Sequence, residues 1–100
     1  MAIKVIWSRE ATTTYDQNIK YLLKEWSAKE VDRFLKQTDY ILSRLQEYPE
    51  SFSPSLKNRK VRKARLNKHI TLYYQYLVRS GQIVLLSFWD VRQDPSKINY

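Results

Sequence analysis

Residues 70–89 read ITLYYQYLVRSGQIVLLSFW, and this stretch decides the fold. It is dense in aromatic, β-branched and other apolar residues, which favour strands over helices at this length. Ser80 and Gly81 interrupt it, and glycine supplies the positive φ that a tight turn requires. The stretch therefore predicts an antiparallel hairpin of two strands, 70–78 and 83–89. Because the second strand is apolar on both faces, we expect it to lie inside a sheet that is covered on at least one side.

Two further strands are predicted outside this hairpin. Residues 60–66 form a mixed basic strand that leads into it, after a loop at 49–59 that contains two prolines and three serines. Residues 3–7 form a short N-terminal strand rich in β-branched and aromatic side chains. The three C-terminal strands are expected to form an antiparallel meander.

Between the first two strands, apolar residues recur at steps of three and four, which indicates two amphipathic helices. Ser8 can cap the first helix, which ends near Trp26. Ser27 and Glu30 match the S-x-x-E capping box that starts a second helix, and Pro49 ends that helix. Helices joined this directly must fold back on each other. The predicted order is β-α-α-β-β-β, an α+β fold with an antiparallel sheet, an N-terminal strand and a helical hairpin packed on one face.

The composition limits the classes of protein that this chain can represent. Its 100 residues indicate a single domain over 1–100. With no cysteine and a single histidine, it has no disulfide framework and no cysteine-based zinc site, so we expect no metal and no cofactor. The N-terminus lacks the apolar run of a signal peptide, and no stretch approaches a membrane span. We expect a cytoplasmic protein that has no membrane partner.

Positive charge is concentrated in the second half of the chain. The net charge is +8, and no acidic residue lies between Glu50 and Asp90. Such a distribution favours binding to a polyanion or to an acidic protein partner, although charge on an edge strand can also serve only solubility. We expect one exposed cationic rim, with Lys63 facing away from Arg62 and Arg65. The basic residues of this region are Lys57, Arg59, Lys60, Arg62, Lys63, Arg65, Lys68 and Arg79.

The order of elements and several short stretches resemble the RelE/ParE superfamily of toxins from type II toxin–antitoxin modules. The resemblance spans nearly the whole chain. The stretches that carry it are 3–8 (IKVIWS), 61–66 (VRKARL), 72–74 (LYY) and 88–95 (FWDVRQDP), the last similar to the W-D-x-R-Q-N/D-P ending of "plasmid stabilisation" members. The resemblance implies a growth-inhibiting toxin that is neutralised by the acidic segment of a cognate antitoxin, in a heterotetramer or larger complex.

Two activities divide this superfamily, and the resemblance implies one or the other. ParE-like members poison DNA gyrase, whereas RelE-like members cleave mRNA on the ribosome without metal. Cleavage needs proton-transfer groups and cations around the phosphate. Thr71 stands where the nucleases carry an arginine, and threonine cannot neutralise a phosphate, so gyrase poisoning is favoured. A non-toxic basic nucleic-acid-binding domain is the third alternative. The candidate catalytic residues of an endoribonuclease are Arg62, Arg65, His69 and Arg92, with Asp90 and Tyr100 as further proton-transfer groups.

The remaining site predictions concern contacts with macromolecules. The candidate target-binding residues are Lys63, Lys68, Trp89, Asp90 and Gln93. Tyr15 and Trp26 are the candidates for antitoxin binding. Several of these have a simpler interpretation: His69 as a surface turn residue, Tyr73 and Trp89 as packing residues, and Asp90 with Arg92 as a local ion pair.

Overall fold

The computed structural model describes residues 3–92 and residue 100. The predicted order of elements and the α+β class are confirmed. The predicted basic strand is shorter than expected, because the chain is extended and paired only over its middle four residues. The elements are β1 (Lys4–Trp7), α1 (Arg9–Glu25), α2 (Ala28–Glu47), β2 (Arg62–Arg65), β3 (Ile70–Leu77) and β4 (Gln82–Asp90).

The four strands form one sheet in the order β1-β4-β3-β2. The last three strands are an antiparallel meander, as predicted, and Gly81 lies in the β3–β4 turn with a φ of 64°. β1 pairs parallel to β4, with Val5 opposite Ile83, so the sheet is mixed rather than antiparallel throughout. β4 therefore lies between β1 and β3, the interior position that its apolar sequence predicts.

The two helices begin and end close to the predicted residues. The Ser8 hydroxyl caps α1 by accepting a hydrogen bond from the Ala11 N–H at 3.0 Å. α2 starts directly after Ser27, but the Ser27 side chain makes no capping hydrogen bond. Glu30 instead pairs with Arg33, with a nitrogen–oxygen distance of 3.4 Å. The capping-box pattern thus marks the helix start correctly, while its reciprocal bonds do not form.

The helical hairpin covers one face of the sheet through an aromatic cluster. Phe34 of α2 and Phe88 of β4 are each 1% exposed. The ring of Tyr15 lies 4.9 Å from Phe88, and the ring of Trp7 lies 5.4 Å from Phe88, centroid to centroid. Burying a side chain of this size stabilises a fold by roughly 1.5–3 kcal/mol. Neither α1 nor α2 covers the other face of the sheet.

Side chains of α1 complete the hydrogen bonding of β4 where β1 ends. The last β1–β4 pair is Trp7 with Leu85, so β4 continues beyond its strand neighbour. There the Thr14 hydroxyl accepts a hydrogen bond from the Phe88 N–H at 2.9 Å, and the Asn18 amide donates to the Phe88 carbonyl at 3.2 Å. Buried backbone groups need such partners. These two contacts fix the end of β4 against the helix.

The loop between α2 and β2 lies along the outer edge of β2. The Lys63 N–H donates to the Ser53 carbonyl at 2.9 Å, and the Tyr74 hydroxyl donates to the Pro49 carbonyl at 2.9 Å. Burial raises the pKa of Tyr74 to about 12, so this hydroxyl stays protonated as a donor. The loop shields an edge strand that would otherwise be unpaired. None of the helices in the described ranges is long and apolar enough to cross a membrane.

Candidate target-binding surface

Six residues on the helix-free side of the sheet form a surface that we call the open face. They occupy two neighbouring cross-strand rows, each with one residue from β2, one from β3 and one from β4. Residues opposite each other in register share a face of the sheet, so each row presents its side chains together. The first row is Lys63, Tyr73 and Ser87, and the second is Arg65, Thr71 and Trp89.

The β2–β3 side of the open face is a basic depression of about 570 Å³. Lys63, Arg65, Thr71 and Tyr73 line it together with Val91 and the loop residues 51–53, and none of these described lining residues is acidic. Within residues 3–92 and 100, neither Lys63 nor Arg65 has an ion-pair partner. The prediction that Lys63 faces away from Arg65 is wrong, because residues two apart on a strand point the same way.

Tyr100 packs against Tyr73 at this surface, with ring centroids 5.8 Å apart and an interplanar angle of 32°. Burial raises the pKa of Tyr100, and the charge of Glu10 together with a hydrogen bond to it raises this pKa further. Burial also raises the pKa of Tyr73. Both phenols are protonated at neutral pH, so they can donate a proton but are poorly suited to accept one.

Arg62, a predicted catalytic residue, does not belong to the open face. Its guanidinium donates hydrogen bonds to the carbonyls of Phe52 at 2.7 Å and Glu50 at 3.1 Å. These contacts hold the α2–β2 loop and engage one end of the guanidinium. The geometry gives Arg62 a structural role that the alternation of basic residues did not reveal.

Asp90 and Arg92 form a close ion pair beside α1. The Arg92 Nη2 lies 2.6 Å from Asp90 Oδ2, and its Nε lies 3.0 Å from Oδ1. Burial works to raise the pKa of Asp90, but the hydrogen bonds and charge of Arg92, together with the charge of His69, lower it overall. The hydrogen bond to Asp90 raises the pKa of Arg92 in turn. The Arg92 guanidinium also lies 5.1 Å from the centre of the Tyr21 ring. This pairing favours the interpretation of a local ion pair over that of a cation directed at a target.

A second concavity, which we call the hairpin groove, lies between the helices and the β2–β3 turn. Its volume is about 300 Å³, and Trp26, Lys68, His69 and Arg92 line it with apolar residues of both helices. The His69 N–H donates to the Asn67 side chain at 2.8 Å within the turn. His69 and Lys68 therefore lie on a different surface from Lys63 and Arg65.

The other predicted site residues lie in different surroundings. Trp26 is 63% exposed at the end of α1, whereas Tyr15 is half-buried and packs against Trp7, Phe34 and Phe88. Trp89 is half-buried in the open face, and Gln93 lies outside the described residues. Arg79 follows β3 at the opposite end of the sheet from Arg65. The basic residues thus do not form the single rim that we expected, and of the basic residues that the structure describes only Lys63 and Arg65 belong to the open face.

Two features of this surface were missed by reasoning from the sequence. One is the loop at 51–53, which walls the depression because Arg62 and Tyr74 hold it there. The other is the packing of Tyr100 against Tyr73, which joins residues far apart in the chain. Within the part of the chain that the structure describes, no group of three histidine or acidic side chains is placed to hold a metal ion.

The same architecture of a strand, a helical hairpin and a three-strand meander is found in other solved structures. The structure resembles that of the "Chromosomal ParDE TA system from P. aeruginosa", with a TM-score of 0.72 at 12% identity over 88% of this chain and 95% of that one. It also resembles the "YoeB/ParE toxin from Agrobacterium tumefaciens", with a TM-score of 0.66 at 9% identity over 88% of this chain and 98% of that one. Identities this low show a shared fold alone.

The sequence itself matches a family profile over residues 5–95, described as the ParE toxin of the type II toxin–antitoxin system parDE. The chain belongs to this family of ParE toxins, and the resemblance noted in its sequence is confirmed. No curated protein sequence matches the chain at a significant level.

Proposed function

We propose that this chain is a growth-inhibiting toxin that acts in the cytoplasm by poisoning DNA gyrase, and that a cognate antitoxin neutralises it. Membership of the ParE family is the starting point. The observation that carries the choice of target is the make-up of the open face. It presents Lys63 and Arg65, which have no ion-pair partner among the described residues, and the raised pKa values of Tyr73 and Tyr100 make these phenols poorly suited to accept a proton.

Metal-independent RNA cleavage requires a group that takes the proton of the 2′-hydroxyl. Among the described residues, the only histidine lines the hairpin groove rather than the open face. Arg62 and Arg92, two of the four candidate catalytic residues, are held by the α2–β2 loop and by Asp90. This arrangement supports a surface that binds an anionic target without cleaving it.

A supercoiling assay with purified gyrase tests the proposal. The wild-type protein is expected to inhibit supercoiling. The Lys63→Gln/Arg65→Gln double variant should require at least about a tenfold higher concentration for the same inhibition, because a loss of about 1.4 kcal/mol in binding free energy lowers affinity tenfold. Arg79→Gln is the matched control, because it removes an exposed cation at the other end of the sheet. If micromolar wild-type protein leaves supercoiling unchanged, gyrase is not the target.

Ribosome-dependent mRNA cleavage remains a second candidate because of one specific observation. Tyr100, a proton donor, packs on Tyr73 beside the depression, and Arg65 is the register partner of Thr71 and supplies the cation that threonine lacks. Induction in a bacterial host should then produce codon-positioned cuts in translated mRNA, seen by primer extension. Intact transcripts during growth arrest would exclude this candidate, and normal growth at high expression would favour the non-toxic nucleic-acid-binding alternative.

For the antitoxin, we propose the hairpin groove as a contact. Trp26 offers an exposed apolar anchor, and Lys68 adds positive charge for an acidic segment. Co-expression of the cognate antitoxin should restore growth. Trp26→Ala in the toxin should weaken purified complexes, measured by isothermal titration calorimetry, whereas Leu56→Ala, at an exposed apolar residue of the α2–β2 loop, should not. A complex unaffected by Trp26→Ala would place the antitoxin elsewhere.

A further inference from the structure

The two edges of the sheet differ in what covers them. The α2–β2 loop lies along the outer edge of β2, where the Lys63 N–H donates to the Ser53 carbonyl at 2.9 Å. β1 lies at the opposite edge, and within the part of the chain that the structure describes it pairs with β4 alone. An uncovered edge strand presents N–H and C=O groups on which another strand can form. The outer edge of β1 is therefore the place where this sheet can be extended.

The backbone groups that β1 turns outward belong to Val5 and Trp7. The N–H groups of Lys4 and Ser8 each donate to a carbonyl within residues 81–85 at 3.1 Å. Successive residues of a strand turn their backbone groups to opposite sides, so Val5 and Trp7 direct theirs away from β4. A partner strand at this edge would therefore form its hydrogen bonds with these two residues.

The sequence of β1 complements itself in one antiparallel register. When Ile6 lies opposite Ile6 of a second copy, Val5 of each copy lies opposite Trp7 of the other. These two pairs exchange about four hydrogen bonds in total. A β-branched residue opposite an aromatic residue is a favourable cross-strand pair. Lys4 then lies opposite Ser8, so no like charges face each other across the contact.

The side chains around β1 agree with this register. Trp7 packs on Phe88 at the helix side of the sheet, yet 37% of its surface stays exposed, and a facing strand would cover part of it. Ile6 points to the opposite side of the sheet by alternation and is half-exposed. A register shifted towards the N-terminus would need the Ile3 carbonyl, which already accepts a hydrogen bond from the Gln46 side chain at 3.1 Å.

The distribution of charge favours a second copy of the chain as the occupant of this edge. Residues 1–50 contain eight basic and eight acidic side chains, whereas residues 51–100 carry the whole net charge of +8. The basic strand β2 lies at the edge of the sheet farthest from β1. If two sheets join through β1, their β2 strands stand seven strand spacings apart, about 34 Å, while the Debye length at physiological salt is about 8 Å. Contact through β1 thus joins the neutral halves of two strongly basic molecules.

We propose that the chain forms a two-fold dimer in which the β1 strands of two copies pair antiparallel, with Ile6 opposite Ile6. The two-fold axis is perpendicular to the sheet, so the two four-stranded sheets become one continuous sheet with both open faces on the same side. The contact is only four residues long, so the dimer dissociates on dilution. The proposal concerns assembly of the chain and does not rest on the proposed function.

Sedimentation velocity of the purified full chain tests the proposal. The wild-type protein should shift from monomer to dimer as its concentration rises to about 1 mM. Ile6→Lys and Ile6→Glu each place like charges opposite each other and should raise the dissociation constant at least about tenfold, whereas an equal mixture of the two variants should dimerise. A wild-type monomer at every concentration overturns the proposal. So does a mixture that stays monomeric although melting curves show that both variants are folded.

Single cysteines test the register, because the chain contains no cysteine of its own. The Cα atoms of the two Ile6 residues should be about 4.5 Å apart, which a disulfide can span. Ile6→Cys should therefore form disulfide-linked dimers at least about tenfold faster than Leu23→Cys, an exposed control on α1. Equal rates overturn the proposed contact. A wild-type monomer whose complex with the antitoxin is weakened by Ile6→Lys would assign this edge to the antitoxin and also overturn the proposal.

Discussion

The contact between Thr14 of α1 and the backbone of β4 gives a measurable prediction about what holds the open face in position. The Thr14 hydroxyl accepts a hydrogen bond from the Phe88 N–H at 2.9 Å, beyond the point where β1 ends. Thr14→Val keeps the shape of the side chain but leaves this N–H without an acceptor. An orphaned buried group costs roughly 1–3 kcal/mol. A central value of about 2 kcal/mol lowers the melting temperature of a domain of this size by about 8–16 °C.

Thermal and urea denaturation followed by circular dichroism measure this loss of stability. Hydrogen exchange should also show faster exchange of the Phe88 amide. Thr12→Val is the matched control: Thr12 is an exposed residue of the same helix, its hydroxyl donates only to the Ser8 carbonyl, and the helix propensities of threonine and valine are similar. Equal melting temperatures for the two variants would show that the Thr14 contact does not stabilise β4.

Three further predictions concern pH and backbone conformation. Asp90→Asn should make the protein less stable than wild type at pH 7. Because the pKa of Asp90 is lowered in the fold, the difference in stability between variant and wild type should shrink as the pH falls below about 4. A difference that persists in acid denaturation would refute the role of the pair with Arg92. The pKa of Tyr74 is raised to about 12 in the fold, so the folded state should lose stability between pH 10 and pH 12, where the phenol ionises more readily in the unfolded chain. Tyr74→Phe should reduce this decline in denaturation curves, and an identical pH profile would contradict the raised pKa of Tyr74. Gly81→Ala should lower the free energy of unfolding by about 1 kcal/mol, because φ is 64° at this residue although an added Cβ meets no atom within 4 Å. Gly81→Asn should lower it less, and equal losses for the two variants in denaturation curves would point to a steric cause instead.

The sequence was a reliable guide to elements whose signals are local. The apolar run at 70–89 with Gly81 inside it predicted the β3–β4 hairpin, and Pro49 predicted the end of α2. Helix periodicity, turn residues and proline act over a few neighbouring residues. These signals were sufficient to predict the order of the elements, whereas the family was predicted from the resemblance of several short stretches.

The sequence was a weaker guide to the candidate site. Arg62, Lys63 and Arg65 appear alike in a basic strand, yet Arg62 holds a loop while the other two line the open face. For Asp90 and Arg92 the sequence left two interpretations open, contact with a target or a local ion pair, and the structure shows that the two side chains pair with each other. The density of positive charge identified the part of the chain that carries the candidate site. Contacts with residues distant in the sequence decide which of these charges remain available to bind a target.

The sequence by itself determines the six elements and their order, the positive charge of the second half and the resemblance to RelE/ParE toxins. Each of these depends on residues that are near neighbours in the chain or on composition. The tertiary structure alone decides that β1 pairs parallel with β4, that Thr14 completes its hydrogen bonds, and that Tyr100 meets Tyr73. These contacts join segments separated by many residues, and their register depends on how the helices and the sheet pack together. The sequence carries no local signal for that packing.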